Sequence, residues 1–224
     1  RSVDGGETWS ARDSQVTEPL FDLRVLGDGA TLVAVGDRGA ITRSNDEGET
    51  WSARDSQVVE EGLLDLRVLG DGATLAAVGD RGAITRSVDG GETWAARDSQ
   101  VTASLWDLRV LGDGATLVAV GWDGAITRSV DGGETWSARD SQVTEALSDL
   151  RMLGDGATLV AVGRDGAITR SADGGETWSA RDSQVTEDLW ALRVLGDGAT
   201  LVAVGWDGAI TRSADGGETW SARD

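Results

Sequence analysis

The side chains able to do chemistry in this chain are carboxylates, arginines and tryptophans, and they arrive at a fixed spacing. Asp, Gly and Thr gather in RSVDGGETWSARD, residues 1–13, which returns as RSADGGETWSARD at 212–224 and in four further copies between. An Asp/Gly loop of this kind can bind calcium, supply a carboxylate pair for acid/base catalysis, or spend its Asp on the turn itself. The spacing matches neither an EF-hand loop nor the glycine-rich calcium repeats, and one loop brings too few carboxylates for the ion. Composition narrows the rest, because the chain has no His, no Cys and no Tyr. The commonest general base, thiolate metal sites and most transition-metal chemistry go with them. The acidic residues recur at the same place in every copy, as structural positions do. No catalytic residue, metal or cofactor is therefore expected.

The loops need elements to hold them, and these repeat too. The tryptophans of the recurring stretch, Trp9, Trp51, Trp94, Trp136, Trp178 and Trp220, stand 42, 43, 42, 42 and 42 residues apart. One unit, Ser14 to Asp55, contains LFDLRVL, TLVAV, AITRS and ETWSARD, separated by Gly- and Asp-bearing turns. Alternating and continuous apolar runs bounded by such turns predict four antiparallel strands, a to d, of about 5–7 residues. Pro19 falls in the d-to-a connection, where it removes no ladder bond. Four-stranded units on a 42-residue period predict an all-β fold, a β-propeller whose blades bury both faces. A β-solenoid is the alternative, but its coils are shorter and parallel. The units are 14–55, 56–98 with one extra residue, 99–140, 141–182 and 183–224. Residues 1–13 are left as an extra partial blade, the end of a strand c plus a strand d. The surplus fits a piece of a longer array, a five-bladed ring with a redundant strand, or a chain that completes a larger ring with another copy. The last is the preferred expectation. Arg1 opens in mid-repeat, as in a fragment or processed product.

The formal charge is −19, and all 20 basic residues are Arg. Such a surface repels phosphate backbones and anionic lipid, so neither nucleic acid nor membrane insertion is expected.

The residues SVDGGETW resemble the Asp-box, or bacterial neuraminidase repeat, with pattern Ser-x-Asp-x-Gly-x-Thr-Trp, at Ser2, Asp4, Gly6, Thr8 and Trp9 and again at Ser213, Asp215, Gly217, Thr219 and Trp220. With strands such as LRVLGDGATLVAVGDRGAI, the chain is most similar to propellers of the photosystem II assembly-factor type and their non-photosynthetic bacterial relatives. That resemblance implies protein partners, and a secreted or periplasmic location. Relatives of the repeat include sialidases, whose Tyr nucleophile has no counterpart here. Read physically, Asp and Ser bond within the turn, Gly supplies positive φ and the Trp ring packs on the next blade.

Differences between copies fall in two places. One is the d-to-a connection with the start of strand a (EPLFD, EEGLLD, ASLWD, EALSD, EDLWA). The other is the b-to-c turn: Asp37-Arg38, Asp80-Arg81, Trp122-Asp123, Arg164-Asp165 and Trp206-Asp207. Both lie at one end of the blade, opposite the Asp-box turns. A varied face on a constant scaffold is what a binding surface looks like, although drift in exposed loops produces the same pattern. Trp106 and Trp122, with Trp190 and Trp206, flank a blade offering Ser148 and Arg164. The expected site is aromatic-walled with a central guanidinium, suited to an anionic group of a protein, a peptide or a glycan. Phe21, Leu64, Arg38 and Arg81 form a more aliphatic and basic sector. In strand a, Arg24, Arg67, Arg109 and Arg151 each follow an Asp by two residues, predicting ion pairs, whereas Ala191 leaves Arg193 unpaired and open to an anion. A non-catalytic binding scaffold is the leading expectation. A lectin-like propeller and a newly amplified or designed array without a selected ligand stand as alternatives.

Overall fold

The computed structural model describes residues 1–223; Asp224, where the last unit ends in the sequence, lies outside the described residues. Five four-stranded antiparallel sheets follow one another, each a meander of consecutive strands. The first holds β1 (Leu20–Val25), β2 (Leu32–Gly36), β3 (Ile41–Ser44) and β4 (Ser52–Arg54). The second holds β5 (Leu63–Val68), β6 (Leu75–Gly79), β7 (Ile84–Ser87) and β8 (Ala95–Arg97). The third holds β9 (Leu105–Val110), β10 (Leu117–Gly121), β11 (Ile126–Ser129) and β12 (Ser137–Arg139). The fourth holds β13 (Leu147–Met152), β14 (Leu159–Gly163), β15 (Ile168–Ser171) and β16 (Ser179–Arg181). The fifth holds β17 (Leu189–Val194), β18 (Leu201–Gly205), β19 (Ile210–Ser213) and β20 (Ser221–Arg223). These are the blades of an all-β propeller fold. Strands c and d, four and three residues long, are shorter than expected. Pairing stops at Ser44 because its hydroxyl receives the Gly48 amide, which turns the chain into the hairpin.

Each blade packs its inner strand beside that of the next, so β1, β5, β9, β13 and β17 run side by side. Between blades 1 and 2, Val33, Val35, Ile41 and Leu26 meet Leu63, Leu66, Leu75, Ala77 and Trp94. Equivalent residues build the next three junctions. Continuous apolar runs such as LVAV are thereby explained: alternate side chains go to opposite neighbours and both faces are buried. The hairpin Trp packs on the preceding blade, not the next as the sequence reading expected, because the indole folds back over its own Gly91 carbonyl toward blade 1. Four such clusters occur among the described residues, and none joins blade 5 to blade 1. Leu20 and Leu23 on blade 1 and Val204 and Ile210 on blade 5 are exposed, whereas their counterparts inside the array are buried. The outer faces of blades 1 and 5 are thus left uncovered among the described residues.

Polar contacts repeat with the same register. The guanidinium of Arg43 donates to the Gly90 carbonyl and pairs with Glu92 of the next blade, and Arg54 reaches the same carboxylate at 2.8 Å. Arg86 and Arg97 hold Glu134 likewise, Arg128 and Arg139 hold Glu176, and Arg170 and Arg181 hold Glu218. Buried Thr42 donates to the Ser14 carbonyl at 2.6 Å, tying the connection that enters the blade to its third strand.

Candidate functional site

The constant end of the blades is built from the Ser-x-Asp-x-Gly-x-Thr-Trp hairpins, and each one is closed by its own side chains. In blade 1 the Ser44 hydroxyl donates to Asp46 Oδ1, which also accepts the Thr50 amide, while Thr50 Oγ1 donates to Asp46 Oδ2 at 2.5 Å. The Thr50 hydroxyl and amide hold the Asp46 carboxyl down at about 2, and Thr219 does the same for Asp215. Both oxygens of the loop's Asp are thus spent on the turn. The hairpin at residues 2–9 makes the same bonds although no sheet of its own lies beneath it, and its Trp9 is 75% exposed. The motif is a local fold, and only blade packing makes its Trp an anchor.

Along the inner strands the expected ion pairs are present. Arg24 meets Asp22 at 2.5 Å, Arg109 meets Asp107 at 2.5 Å and Arg151 meets Asp149 at 2.6 Å, with Arg67 on Asp65 in the same way. The carboxylates do more than the sequence suggested: Asp22, Asp65, Asp107 and Asp149 each accept the backbone amide of a leucine on the following blade, at 2.8–2.9 Å. Burial pushes Asp65 up to about 8 and Asp149 up to about 7, against the pull of Arg67 and of the Leu192 amide respectively. Arg193 departs from the expectation. Its own blade has Ala191 in place of Asp, yet its long arm reaches back to Asp149 of blade 4 at 3.4 Å, and its side chain remains 65% exposed.

At the opposite end, the structure brings the varied residues together through a feature the sequence concealed. Strand a of every blade carries a β-bulge, and the extra residue is Phe21, Leu64, Trp106, Ser148 or Trp190. A bulged residue leaves the ladder and its side chain is re-aimed. The strand opposite ends in glycine for the same reason: a Cβ on Gly36 would sit 2.0 Å from the Pro19 carbonyl oxygen. Each bulge stands beside the b-to-c turn, a three-residue 3₁₀ segment whose middle residue is left-handed (φ 50–53°). Trp106 and Trp122 meet edge to face with ring centroids 5.5 Å apart, and Trp190 and Trp206 do so at 5.3 Å. The pairs form within blades 3 and 5 rather than across them. Arg164 of blade 4 lies 4.5 Å over the Trp122 ring, so the guanidinium is docked on one aromatic pair rather than standing between two. Asp165, Thr186, Glu187, Asp188 and Trp206 line a cleft of about 410 Å³. Three carboxyl side chains make that cleft anionic, which corrects the expectation of a single anion-accepting site. Ser148 is half-buried beside the turn of its blade, Leu64 is half-buried in blade 2, and Arg38 and Arg81 are exposed.

Charge assigns this face a different status from the rest. Seventeen of the 20 arginines stand at positions that are Arg in every unit; Arg38 and Arg81, which share one turn position, and Arg164 are the three that do not. None of those three is in an ion pair among the described residues, whereas the strand a, c and d arginines of blades 1 to 4 all are. Trp122, Trp190 and Trp206 are 38%, 50% and 56% exposed, while the hairpin Trp of blades 2 to 5 are buried.

No protein-family model matches the chain, and no curated protein matches it. Solved structures share its fold. YCF48 bound to a D1 peptide superposes with a TM-score of 0.68 at 22% identity, over 92% of this chain and 68% of that one. YCF48 from Cyanidioschyzon merolae gives 0.67 at 19% identity, over 92% and 71%. An ancestral GH74 enzyme gives 0.73 at 14% identity, over 96% of this chain and 32% of the enzyme.

Proposed function

We propose that this chain is a non-catalytic Asp-box propeller scaffold that binds a protein or peptide through the face formed by the strand a bulges and the b-to-c turns. One observation carries the reading: the residues that break the repeat gather on one surface, which holds the exposed indoles and the three unpaired arginines that only some blades carry. Exposed Trp beside unsatisfied Arg is the composition of binding hot spots. The surface carries both signs of charge, with Asp37 and Asp80 in the same turns as Arg38 and Arg81. Arg38, Arg81 and the Trp122-stacked Arg164 suit acidic side chains or a terminal carboxylate, and the cleft of Asp165, Glu187 and Asp188 beside Trp206 suits a basic one. An extended peptide carrying both signs fits such a face. A solved neighbour of the same fold that holds a peptide supports the proposal.

Two routes to a different function are kept apart by experiment. Edge-to-face Trp pairs beside carboxylates also resemble a sugar platform, which favours a lectin-like role as second reading. Catalysis is the other, since a GH74 enzyme shares the fold. Selection of a random peptide library on the immobilised chain, followed by titration of the enriched peptides, tests the proposal. Trp206→Ala and Arg164→Ala are expected to weaken those peptides at least about tenfold, the usual loss at a hot spot, with unchanged thermal stability. Enrichment that survives both substitutions, or saturable glycan-array binding without peptide binding, overturns it. Release of reducing ends from soluble polysaccharides refutes the non-catalytic part.

A further inference from the structure

The four internal junctions are one interface repeated. Each joins the trailing face of one blade (Leu26, Val33, Val35 and Ile41 in blade 1) to the leading face of the next (Leu63, Leu66, Leu75, Ala77 and Trp94 in blade 2). The two uncovered faces carry the same residue types at the same positions. Blade 5 ends in Leu195, Val202, Val204 and Ile210; blade 1 begins with Leu20, Leu23, Leu32, Ala34 and Trp51. Leu20, Leu23, Leu195, Val204 and Ile210 are 37–47% exposed there, and the blade 1 face opens into a groove of about 380 Å³.

Charges match in the same way. Arg24 reaches Asp65 of the following blade at 3.3 Å, and Arg67 reaches Asp107 at 3.2 Å; Arg193 holds that position on blade 5, the last among the described residues. Arg212 and Arg223 correspond to the Arg43 and Arg54 that clamp Glu92, and neither meets a Glu among the described residues. The matching carboxylate on blade 1 is Glu49, now held by Arg1 and Arg12 of the first hairpin. Arg1 also donates to the Glu47 carbonyl, as Arg43 does to that of Gly90. Residues 1–12 therefore stand where the outer strands of a preceding blade would stand.

We infer that a second copy of this chain docks head to tail, blade 5 of one against blade 1 of the other. Arg193 then meets Asp22 of the second copy, and Arg212 and Arg223 take Glu49 from Arg1 and Arg12. The hairpin at 1–12 yields in that exchange. Its sequence differs from residues 212–223 only at Val3 against Ala214, but 212–223 belong to a complete sheet through β19 and β20. Residues 1–12 hold their own hairpin and the contacts to Glu47 and Glu49, with Trp9 exposed. The interface is heterologous, so it builds rings or chains of copies rather than a two-fold dimer.

Light scattering of the 224-residue chain over a concentration series tests this. The mass is expected to rise from one copy to two and beyond. Leu23→Glu blocks the leading face and Val204→Glu the trailing face, both at exposed positions that leave the internal junctions alone. Each variant alone is expected to stay monomeric. Mixed, they offer one intact face each and are expected to form a dimer that grows no further, an outcome that non-specific clustering of apolar faces does not give. Arg12→Ala loosens only the resident hairpin and should tighten association by up to about fivefold, the worth of one exposed ion pair. A wild-type chain monomeric at every concentration, or a mixture that stays monomeric, overturns the inference.

Discussion

The sharpest test of how the blades are held compares two tryptophans with the same local bonds and different neighbours. Trp136 donates Nε1–H to the Gly133 carbonyl at 3.1 Å and Trp9 to the Gly6 carbonyl at 3.0 Å, inside hairpins of the same pattern. Trp136 is 5% exposed, packed among Leu69, Ala76, Val78 and Ile84 of blade 2 and Leu105, Leu108, Leu117 and Ala119 of blade 3. Trp9 is 75% exposed. Because the hydrogen bond is common to both, replacing each by Ala isolates the packing. Burying an indole of about 200 Å² is worth about 5 kcal/mol by area, and measured Trp→Ala losses in cores run about 3–5 kcal/mol. Trp136→Ala is expected to lose about 4 kcal/mol and on the order of 10 °C in Tm for a chain of this size. Trp9→Ala should lose under about 1 kcal/mol, as at other surface positions. Urea denaturation followed by far-ultraviolet circular dichroism gives both. Losses within about 1 kcal/mol of each other would refute the claim that the motif anchors blades through its junction.

Further expectations follow from particular backbone and charge positions. Glu47 sits at φ 59°, where the other hairpins have Gly, so Glu47→Gly should stabilise by about 0.5–1 kcal/mol in the same denaturation assay, since its ion pair with Arg1 is exposed. Arg38 and Arg81 occupy the left-handed turn position that Asp123, Asp165 and Asp207 fill in the other blades. Arg38→Asp and Arg81→Asp should leave stability unchanged or slightly raised while weakening the enriched peptides, the sign of a position kept for binding. Asp46, Asp197 and Asp215 are held at about 2, below their unfolded values, so the stability they contribute is complete above about pH 4 and is lost as pH falls toward 2. Asp65 and Asp149, raised by burial, act oppositely, and what they contribute is lost as pH rises through about 7–8. A urea midpoint that still climbs below pH 4 would contradict the first group's assignment.

The blade was legible because its signals are local. LVAV reads as a strand buried on both faces, GDG as its entry turn, and the 42-residue period as a stack of blades. Even the ion pair between Arg109 and Asp107 follows from two residues on one side of one strand. What was not legible runs between blades. Nothing in a single unit shows that Arg128 reaches the Glu176 of the next hairpin, or that Asp107 Oδ2 accepts the Leu150 amide, because Arg128, Glu176 and Asp107 read as surface charges until the second blade is in place. The direction of Trp packing failed for the same reason. The bulge was hidden more deeply: LWDLRV reads as a regular alternation, and Trp106 becomes the extra residue only because Val120 and Gly121 pair with Asp107 and Leu105.

That bulge also explains why variation can gather where it does. A residue in the ladder of strand a is coupled to two blades at once: Leu108 is buried in a junction, and its amide is fixed by Asp65 of the previous blade. Changing it disturbs packing and a buried hydrogen bond together. The neighbouring bulge position is free of both obligations, so Phe, Leu, Trp and Ser all stand there over nearly identical flanks. The turn residue beside it is similarly uncoupled, its fold set by the closing bond from the Ala125 amide to the Trp122 carbonyl and the glycine that follows. Two uncoupled positions per blade, side by side at one end, give the scaffold a row of independently adjustable contacts. It follows that exchanging Ser148 for Trp should change what the face binds while leaving the Tm of the array within a few degrees, whereas Leu150→Ala, two residues along the same strand, should lose about 2–5 kcal/mol. A large loss at Ser148 would mean that the bulge is part of the junction after all, and that its variation needs a structural rather than a binding explanation.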